Sequence, residues 1–279
     1  MLRSVSDIVL KDFVSIKVLD SLRKVRSLAV EKNLDYFPIF DENELVGVLT
    51  YKDLLKAPPD MIVAEAMSSG YISISPDASI WEAEDIFKKY DTDILLAIDQ
   101  EKLIGLVPKT LLYIELGKHT DFLTGFYRSD YIYHNAIQLI KKGSEISIIF
   151  IDVNNFGYIN KEYGHIFGDT TLRELATLLK NCIPNDTYIC RFGGDEFVIL
   201  TPYELDRCIV LANHLLEISS SHKFSNDINV SIAAGIAGGR RNNALSQNSL
   251  SIIENLVNLA SLASTKAKKE CNGRLCIAD

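Results

Sequence analysis

Residues 191–200 read RFGGDEFVIL. Two glycines and two carboxylates stand inside a stretch that otherwise reads as sheet. Residues 187–192 and 197–201 have the β-branched and aromatic content of two strands. Glycine tolerates the positive φ angles of tight hairpins, so Gly193 and Gly194 are expected to make the turn. Asp195 and Glu196 then sit at its mouth. A solvated hairpin is the plain reading. Asp152 argues for more, because it ends the apolar run ISIIFID, whose strand spans 146–153. A strand ending in a carboxylate beside a hairpin carrying two more forms an oxygen cage for Mg2+ or Mn2+. Such a cage suits phosphoryl or nucleotidyl transfer, where metals neutralise developing charge and orient the attacking oxygen.

Around this hairpin, helices alternate with strands. Helical periodicity covers 129–142, with Ser129 or Asp130 as cap, and 169–183, 205–219 and 250–270. Further strands are expected at 228–237 and 274–277. Together these elements make an α+β sheet with helices on one side or both.

The first half holds a repeat. DYFPIFDENELVGVLTYKDLL, from Asp35, matches DILLAIDQEKLIGLVPKTLL, from Asp93, at a constant offset of 58 residues. Asp41 pairs with Asp99, Leu45 with Leu103 and Gly47 with Gly105. A helical pattern precedes each copy, over 22–32 and 79–90, the second behind a serine and Pro-Asp start signal. Two copies of one supersecondary unit packed on each other are implied.

The 279 residues suggest two domains. Hydrophobic residues make up 47% and charged residues 24%, a globular balance able to fill a core in each. A net charge of −8 argues against a nucleic-acid polymer as partner. A single nucleotide stays open, since a metal can meet its charge. MLRSVSDIVLKDF has neither the apolar run nor the cleavage site of a signal peptide, and no stretch approaches a membrane span. The five cysteines form no CxxC pair, so reduced thiols and a cytoplasmic location are expected.

RFGGDEF, FIDVNNFGYINKEYGHIFGD (150–169) and DFLTGFYR (121–128), in this order and spacing, resemble the GGDEF family of diguanylate cyclases over 121–279. The resemblance implies a ferredoxin-like βαββαβ core with additions, akin to nucleotide cyclases and polymerase palms. It implies metal ligation by Asp152, the Val153 carbonyl and Asp195. Glu196 completes a second metal position or assists deprotonation of the ribose hydroxyl, so Asp195 and Glu196 are the expected catalytic pair. The backbone of Gly193 and Gly194 admits the nucleotide closely. Asn160 and Asp169 read guanine, and the amides of Asn155 and Phe156 cradle phosphate at a helix N-terminus. His165 and Arg191 are expected to be structural, Arg191 as an ion-pair partner.

Several positions depart from the family pattern. Gly157 stands where a phosphate-contacting Lys is usual. TKAKKECNGRLC (265–276) stretches the usual Ala-Lys-x-x-Gly-Arg, leaving Lys266 or Lys268, with Arg274, to supply phosphate charge. Asn154 replaces the second carboxylate of Asp-x-Asp. NCIPNDTYIC (181–190) lacks the Arg-x-x-Asp of product inhibition.

Residues 1–115 resemble a tandem CBS pair, joined by VAEAMSSGYISISPDASIWEA (63–83), with 116–120 as linker. In that family a Thr/Ser-x-x-Asp step holds the ribose and phosphate of an adenine nucleotide. Thr50 and Asp53 supply it in the first copy. Pro108 and Leu111 stand at the matching positions of the second. An adenine-nucleotide sensor and a pair that only dimerises both remain open. So do three readings of the whole chain. The first is a CBS-regulated, homodimeric cyclase converting two GTP to cyclic di-GMP and pyrophosphate. The second is an inactive GTP or nucleotide sensor signalling to a protein partner, and the third is a structural dimerisation protein.

Overall fold

A computed structural model describes residues 3–239, 249–270 and 274–278. The chain divides into two compact units between Lys118 and His119.

In the first unit the repeat is visible in three dimensions. The first copy contains β1 (Ile16–Lys17), α1 (Leu22–Lys32), β2 (Tyr36–Asp41), β3 (Glu44–Thr50) and α2 (Tyr51–Lys56). A short α3 (Val63–Ala66) and β4 (Ser68–Ser69) follow. The second copy contains β5 (Ser73–Ile74), α4 (Ile80–Lys89), β6 (Ile94–Asp99), β7 (Lys102–Pro108) and α5 (Lys109–Lys118). Ser21 and Ser79 cap α1 and α4 by accepting from the Lys24 and Glu82 amides at 3.3 and 3.1 Å. The two hairpins carry a register shift at the same repeat position, between Ile39 and Phe40 and between Ala97 and Ile98.

The copies exchange their leading segments. β4, which precedes the second copy, pairs with β3 of the first, while Leu10, ahead of the first copy, bridges to Leu106 of the second. This explains the matched glycines. A Cβ on Gly47 would meet the Ser68 carbonyl oxygen at 2.5 Å, and one on Gly105 the Leu10 carbonyl oxygen at 2.4 Å. The expected end of the joint helix near Gly117 lies one residue short of the observed end at Lys118.

The second unit is one five-stranded sheet with helices on both faces. Its elements are α6 (Ser129–Lys141), β8 (Ser147–Val153), α7 (Phe156–Tyr163), α8 (His165–Cys182), β9 (Tyr188–Arg191), β10 (Glu196–Thr201), α9 (Leu205–Ser221), β11 (Ile232–Gly238), α10 (Ser249–Glu270) and β12 (Leu275–Ile277). Strand order is β12-β11-β8-β10-β9, with β12 parallel to β11 and all other pairs antiparallel. Central β8 buries both faces by strict alternation. Ile149, Ile151 and Val153 meet Leu172, Leu175 and Leu215 of α8 and α9. Ile148 and Phe150 meet Ile132, Ile253 and Val257 of α6 and α10. The carboxyl end of β8 is therefore held rigidly at one edge of the sheet.

Most boundaries shift by a residue or two at most, and four features differ from expectation in ways that bear on the fold. α8 starts at His165 rather than 169, because Gly164 (φ 86) breaks the helix path there and α8 resumes at once. β11 starts at Ile232 rather than 228, since Ser225–Asp227 forms a 3-10 turn instead. α6 is capped by neither Ser129 nor Asp130: Arg128 holds the cap position. Glu196 belongs to β10 rather than to the turn.

Candidate active site

Asp152 and Glu196 are direct partners across the β8–β10 ladder. The Asp195 carbonyl accepts from the Val153 amide at 3.2 Å, fixing the hairpin against the end of β8. Asp152, Asp195 and Glu196 are each half-buried. Burial raises the Asp195 carboxyl above the usual carboxylate range, and the Asp152 charge adds to it. Burial raises Glu196 likewise, with further contributions from Asp152 and Asp195. Crowded acids of this kind call for a cation.

One cation is supplied from within. The Lys268 ammonium, on α10, donates to Asp152 Oδ1 at 2.5 Å and to the Val153 carbonyl at 3.1 Å. These are the two oxygens expected to ligate metal, and they converge on a single positive charge. The donor set of hard oxygens fits Mg2+ or Mn2+. The expected cage, however, is not ready-made. Among the described residues no three acidic, His or Cys side chains are grouped as a metal site.

The hairpin glycines work differently from expectation. Neither Gly193 nor Gly194 has a positive φ. The turn is closed by the Phe192 and Gly193 amides, which donate to the Glu196 carbonyl at 2.8 and 3.4 Å. Gly193 is required for space, since a Cβ there would lie 2.3 Å from Glu196 Oε2. Gly194 faces open space, and its carbonyl accepts from Arg191 Nε at 3.1 Å. Arg191 also pairs with Asp121 at 2.9 Å, as its structural reading requires. Asp121 in turn accepts from the Thr124 amide and hydroxyl at 2.9 and 2.7 Å.

The guanine candidates lie on the α7–α8 pair. Asn160 is half-buried, with its side-chain oxygen against Gly168, where a Cβ would stand 1.9 Å away. Asp169 follows at once on α8 and is exposed. Asn155 holds the N-cap of α7 in the left-handed conformation (φ 54), which Asn tolerates. Phe156 starts that helix. Gly157 is exposed with open space where a side chain would be. Asn154 bonds through its amide side chain to Ser231 Oγ at 2.9 Å, tying the end of β8 to the start of β11. His165 opens α8 and is exposed, so burial gives it no structural role.

Of the C-terminal cations, Lys268 reaches the carboxylates, while Lys266 is exposed and pairs with Glu270 at 3.8 Å. Arg274 is exposed beside a cavity of about 470 Å3, lined also by Glu217, Ser220 and Ser231. The sequence left Lys266 or Lys268 to supply phosphate charge and gave no signal of the contact between Lys268 and Asp152. The two residues are 116 apart in the chain.

In the first unit Thr50 and Asp53 form the capping box of α2, with Thr50 Oγ1 donating to Asp53 Oδ2 at 2.7 Å. Both line a cleft of about 380 Å3, together with Lys52, Tyr71, Ile72 and Asp93. Lys52 and Asp93 form an ion pair that joins the two repeats. A second cleft of about 250 Å3 is lined by Asp35, Tyr36, Leu106, Pro108, Leu111 and Ile114. The repeat thus builds two related clefts, one polar and one largely apolar.

The second unit is thus a β-sheet ending in paired carboxylates and entered through an Asp-Thr turn, and a unit built of two repeats precedes it in the chain. Residues 118–274 match the family described as diguanylate cyclase, GGDEF domain, and residues 5–60 and 63–112 match the CBS domain. The chain belongs to the GGDEF family and carries a tandem CBS pair ahead of its GGDEF domain. It is 30% identical over 171 residues to the Bacillus subtilis (strain 168) protein YhcK, covering 58% of this chain and 46% of that one. It is 32% identical over 125 residues to SERP0413 of Staphylococcus epidermidis, named a membrane protein, covering 42% and 35%. The chain thus spans less than half the length of these curated relatives. The coiled coil and GGDEF domain of DgcB from Caulobacter crescentus, solved with c-di-GMP, has the same fold. It gives a TM-score of 0.52 at 19% identity, over 61% of this chain and 91% of that one. Among the described residues no helix is long and apolar enough to cross a membrane.

Proposed function

We propose that the second unit is a diguanylate cyclase, condensing two GTP to cyclic di-GMP with release of two pyrophosphates. The observation that carries this is the Asp152–Glu196 pairing, which gathers three half-buried carboxylates at one sheet edge. Asp152, the Val153 carbonyl, Asp195 and Glu196 would hold Mg2+ or Mn2+, which supplies charge neutralisation at the triphosphate. Asn160 and Asp169 would hold guanine. The first amides of α7 and the cations Lys268 and Arg274 would hold phosphate. Gly193 leaves Glu196 in place and exposes backbone to the nucleotide.

In each half-reaction the ribose 3′-oxygen of one GTP forms a bond to the α-phosphorus of the other. The bond to the β-phosphate oxygen breaks, and pyrophosphate leaves with its electron pair. The hydroxyl proton passes to Glu196 or to water. One domain presents one GTP, so the reaction needs two domains facing each other about a two-fold axis. A homodimer follows from this chemistry.

The CBS pair would set that pairing. Thr50, Asp53 and Lys52 in the 380 Å3 cleft offer hydroxyl, carboxylate and ammonium to a ribose phosphate, and an adenine nucleotide is the proposed ligand. GTP as substrate and the unbridged thiols of Cys182, Cys190 and Cys208 suit a cytoplasmic setting. A second reading, a GTP or nucleotide sensor acting on a partner protein, is favoured by the open space at Gly157.

The test is incubation of the full-length protein with GTP and Mg2+ or Mn2+, with and without adenine nucleotides, followed by chromatography. Cyclic di-GMP that vanishes in Asp195→Asn supports the cyclase. Tight GTP binding with no product under any condition supports the sensor.

A further inference from the structure

We infer that Lys268 is a tethered counter-ion, which a nucleotide triphosphate must draw away before a divalent cation takes its place on Asp152 and Val153. The inference rests on reading this edge of the sheet as a metal and GTP site. Its own observation is the double contact of one ammonium with a carboxylate oxygen and a main-chain carbonyl at 2.5 and 3.1 Å. The Lys268 side chain is 30% exposed and that of Asp152 is 18% exposed.

A divalent ion and an ammonium cannot share these two oxygens. They would stand a few ångström apart with like charge, an unfavourable arrangement in a half-buried site. The helix itself is anchored, because Ala263, Ser264 and Ala267 of α10 are buried. Only the flexible four-carbon stem of Lys268 can therefore move. A triphosphate offers the ammonium new oxygens for charge-assisted hydrogen bonds. Binding of nucleotide thus vacates the Asp152 and Val153 oxygens, and nucleotide and metal bind in concert. By linkage each raises the affinity of the other by the same factor. Gly157 sharpens the effect, since the family's usual phosphate-contacting Lys is missing and Lys268 must serve both carboxylate and phosphate.

The experiment measures Mn2+ binding to the full-length protein by the electron paramagnetic resonance of free Mn2+, with and without a non-hydrolysable GTP analogue. Lys268→Met keeps the stem and removes the charge. Lys266→Met makes the same charge change on the same helix, away from the carboxylates. We expect Lys268→Met to bind Mn2+ about tenfold more tightly without nucleotide and to lose most of the coupling to the analogue. We expect Lys266→Met to match wild type. Equal or weaker Mn2+ binding by Lys268→Met, with binding still abolished by Asp152→Asn, overturns the counter-ion and leaves the metal site standing. Mn2+ binding untouched by Asp152→Asn in every background removes the metal site, and the counter-ion with it.

Discussion

Arg191 and Asp121 meet at 2.9 Å with side chains only 12% and 15% exposed, and their pair joins the entry segment of the second unit to the hairpin bearing Asp195. The Arg191 amide adds a bond to the Tyr127 carbonyl at 3.0 Å, and its guanidinium reaches the Gly194 carbonyl. Loss of either partner strands a largely buried charge. Arg191→Ala and Asp121→Ala should each cost about 2–3 kcal/mol, read from urea unfolding of the second unit's transition. Arg191→Ala should also lower turnover more than Asp121→Ala, because the Arg191 guanidinium also holds the Gly194 carbonyl of the turn. Equal activity losses would detach the hairpin from this role.

Acid should dissolve the same pair. Burial by itself would raise the Asp121 carboxyl. The Arg191 and Thr124 hydrogen bonds outweigh it and hold the group below its ordinary value. The unfolded chain titrates near about 3.9, so the stabilisation is complete above that value and is lost as pH falls through the lower folded value. The stability gap between wild type and Asp121→Asn should therefore be constant from neutral to mildly acid pH and shrink below about pH 4. A gap that stays level down to pH 3 would contradict the depressed carboxyl.

The two signature glycines should separate cleanly. A Cβ at Gly193 collides with Glu196 Oε2, the far end of a flexible side chain, while a Cβ at Gly194 meets nothing within 4 Å. Gly193→Ala should therefore leave stability within about 1 kcal/mol of wild type but displace the Glu196 carboxylate. A shift of about 1 Å in a reacting group can cost about 100-fold in rate. Gly194→Ala should retain most activity. Product formation and thermal unfolding measured together check the pair, and a reversed order would mean that backbone freedom, not space, is what the hairpin needs.

These glycines also mark where sequence reasoning ran out. The motif located Asp195 and Glu196, and the apolar run located Asp152, because composition alone marks a buried strand that ends in a carboxylate. The fold followed from periodicity: β8 was legible by its β-branched run, α10 by its apolar spacing. The reason for Gly193 was not legible, since it depends on where the Glu196 side chain folds back. The Lys268–Asp152 contact was likewise hidden, because it closes only when α10 docks on β11 and β8. The 58-residue offset disclosed the repeat, yet not the exchange of leading segments. That exchange rests on which strand pairs with which, and strand pairing leaves no local trace.

The exchange makes a symmetric prediction. Gly47→Ala and Gly105→Ala each drive a Cβ into a backbone carbonyl, at 2.5 and 2.4 Å. Backbone cannot swing aside as a side chain does, so strand pairing must yield. Each should destabilise the first unit by about 1–3 kcal/mol, seen by chemical denaturation. The Gly105 variant should be at least as damaged, since its Cβ also meets Val9 Cγ2 at 2.5 Å. Tolerance of both would mean that the leading segments do not pair as described.

Gly157→Lys tests whether the second unit is an enzyme short of one cation or a sensor. Gly157 is the second residue of α7, its φ is not positive, and the surrounding space is open, so a lysine fits without strain. Replacing glycine inside a helix gains up to about 1 kcal/mol, and a cation near the helix N-terminus returns a few tenths of that. The net effect on folding is thus small, and the measurable change falls on the nucleotide. A new ammonium beside the phosphates should tighten a GTP analogue about three- to tenfold. If wild type makes cyclic di-GMP, the variant should show a lower KM, with kcat raised only to the extent that the lysine acts in the transition state. If wild type makes none and the variant does, the missing cation is what silences the domain. If both bind the analogue and neither turns over, the sensor reading gains, because the carboxylate edge then lacks more than charge.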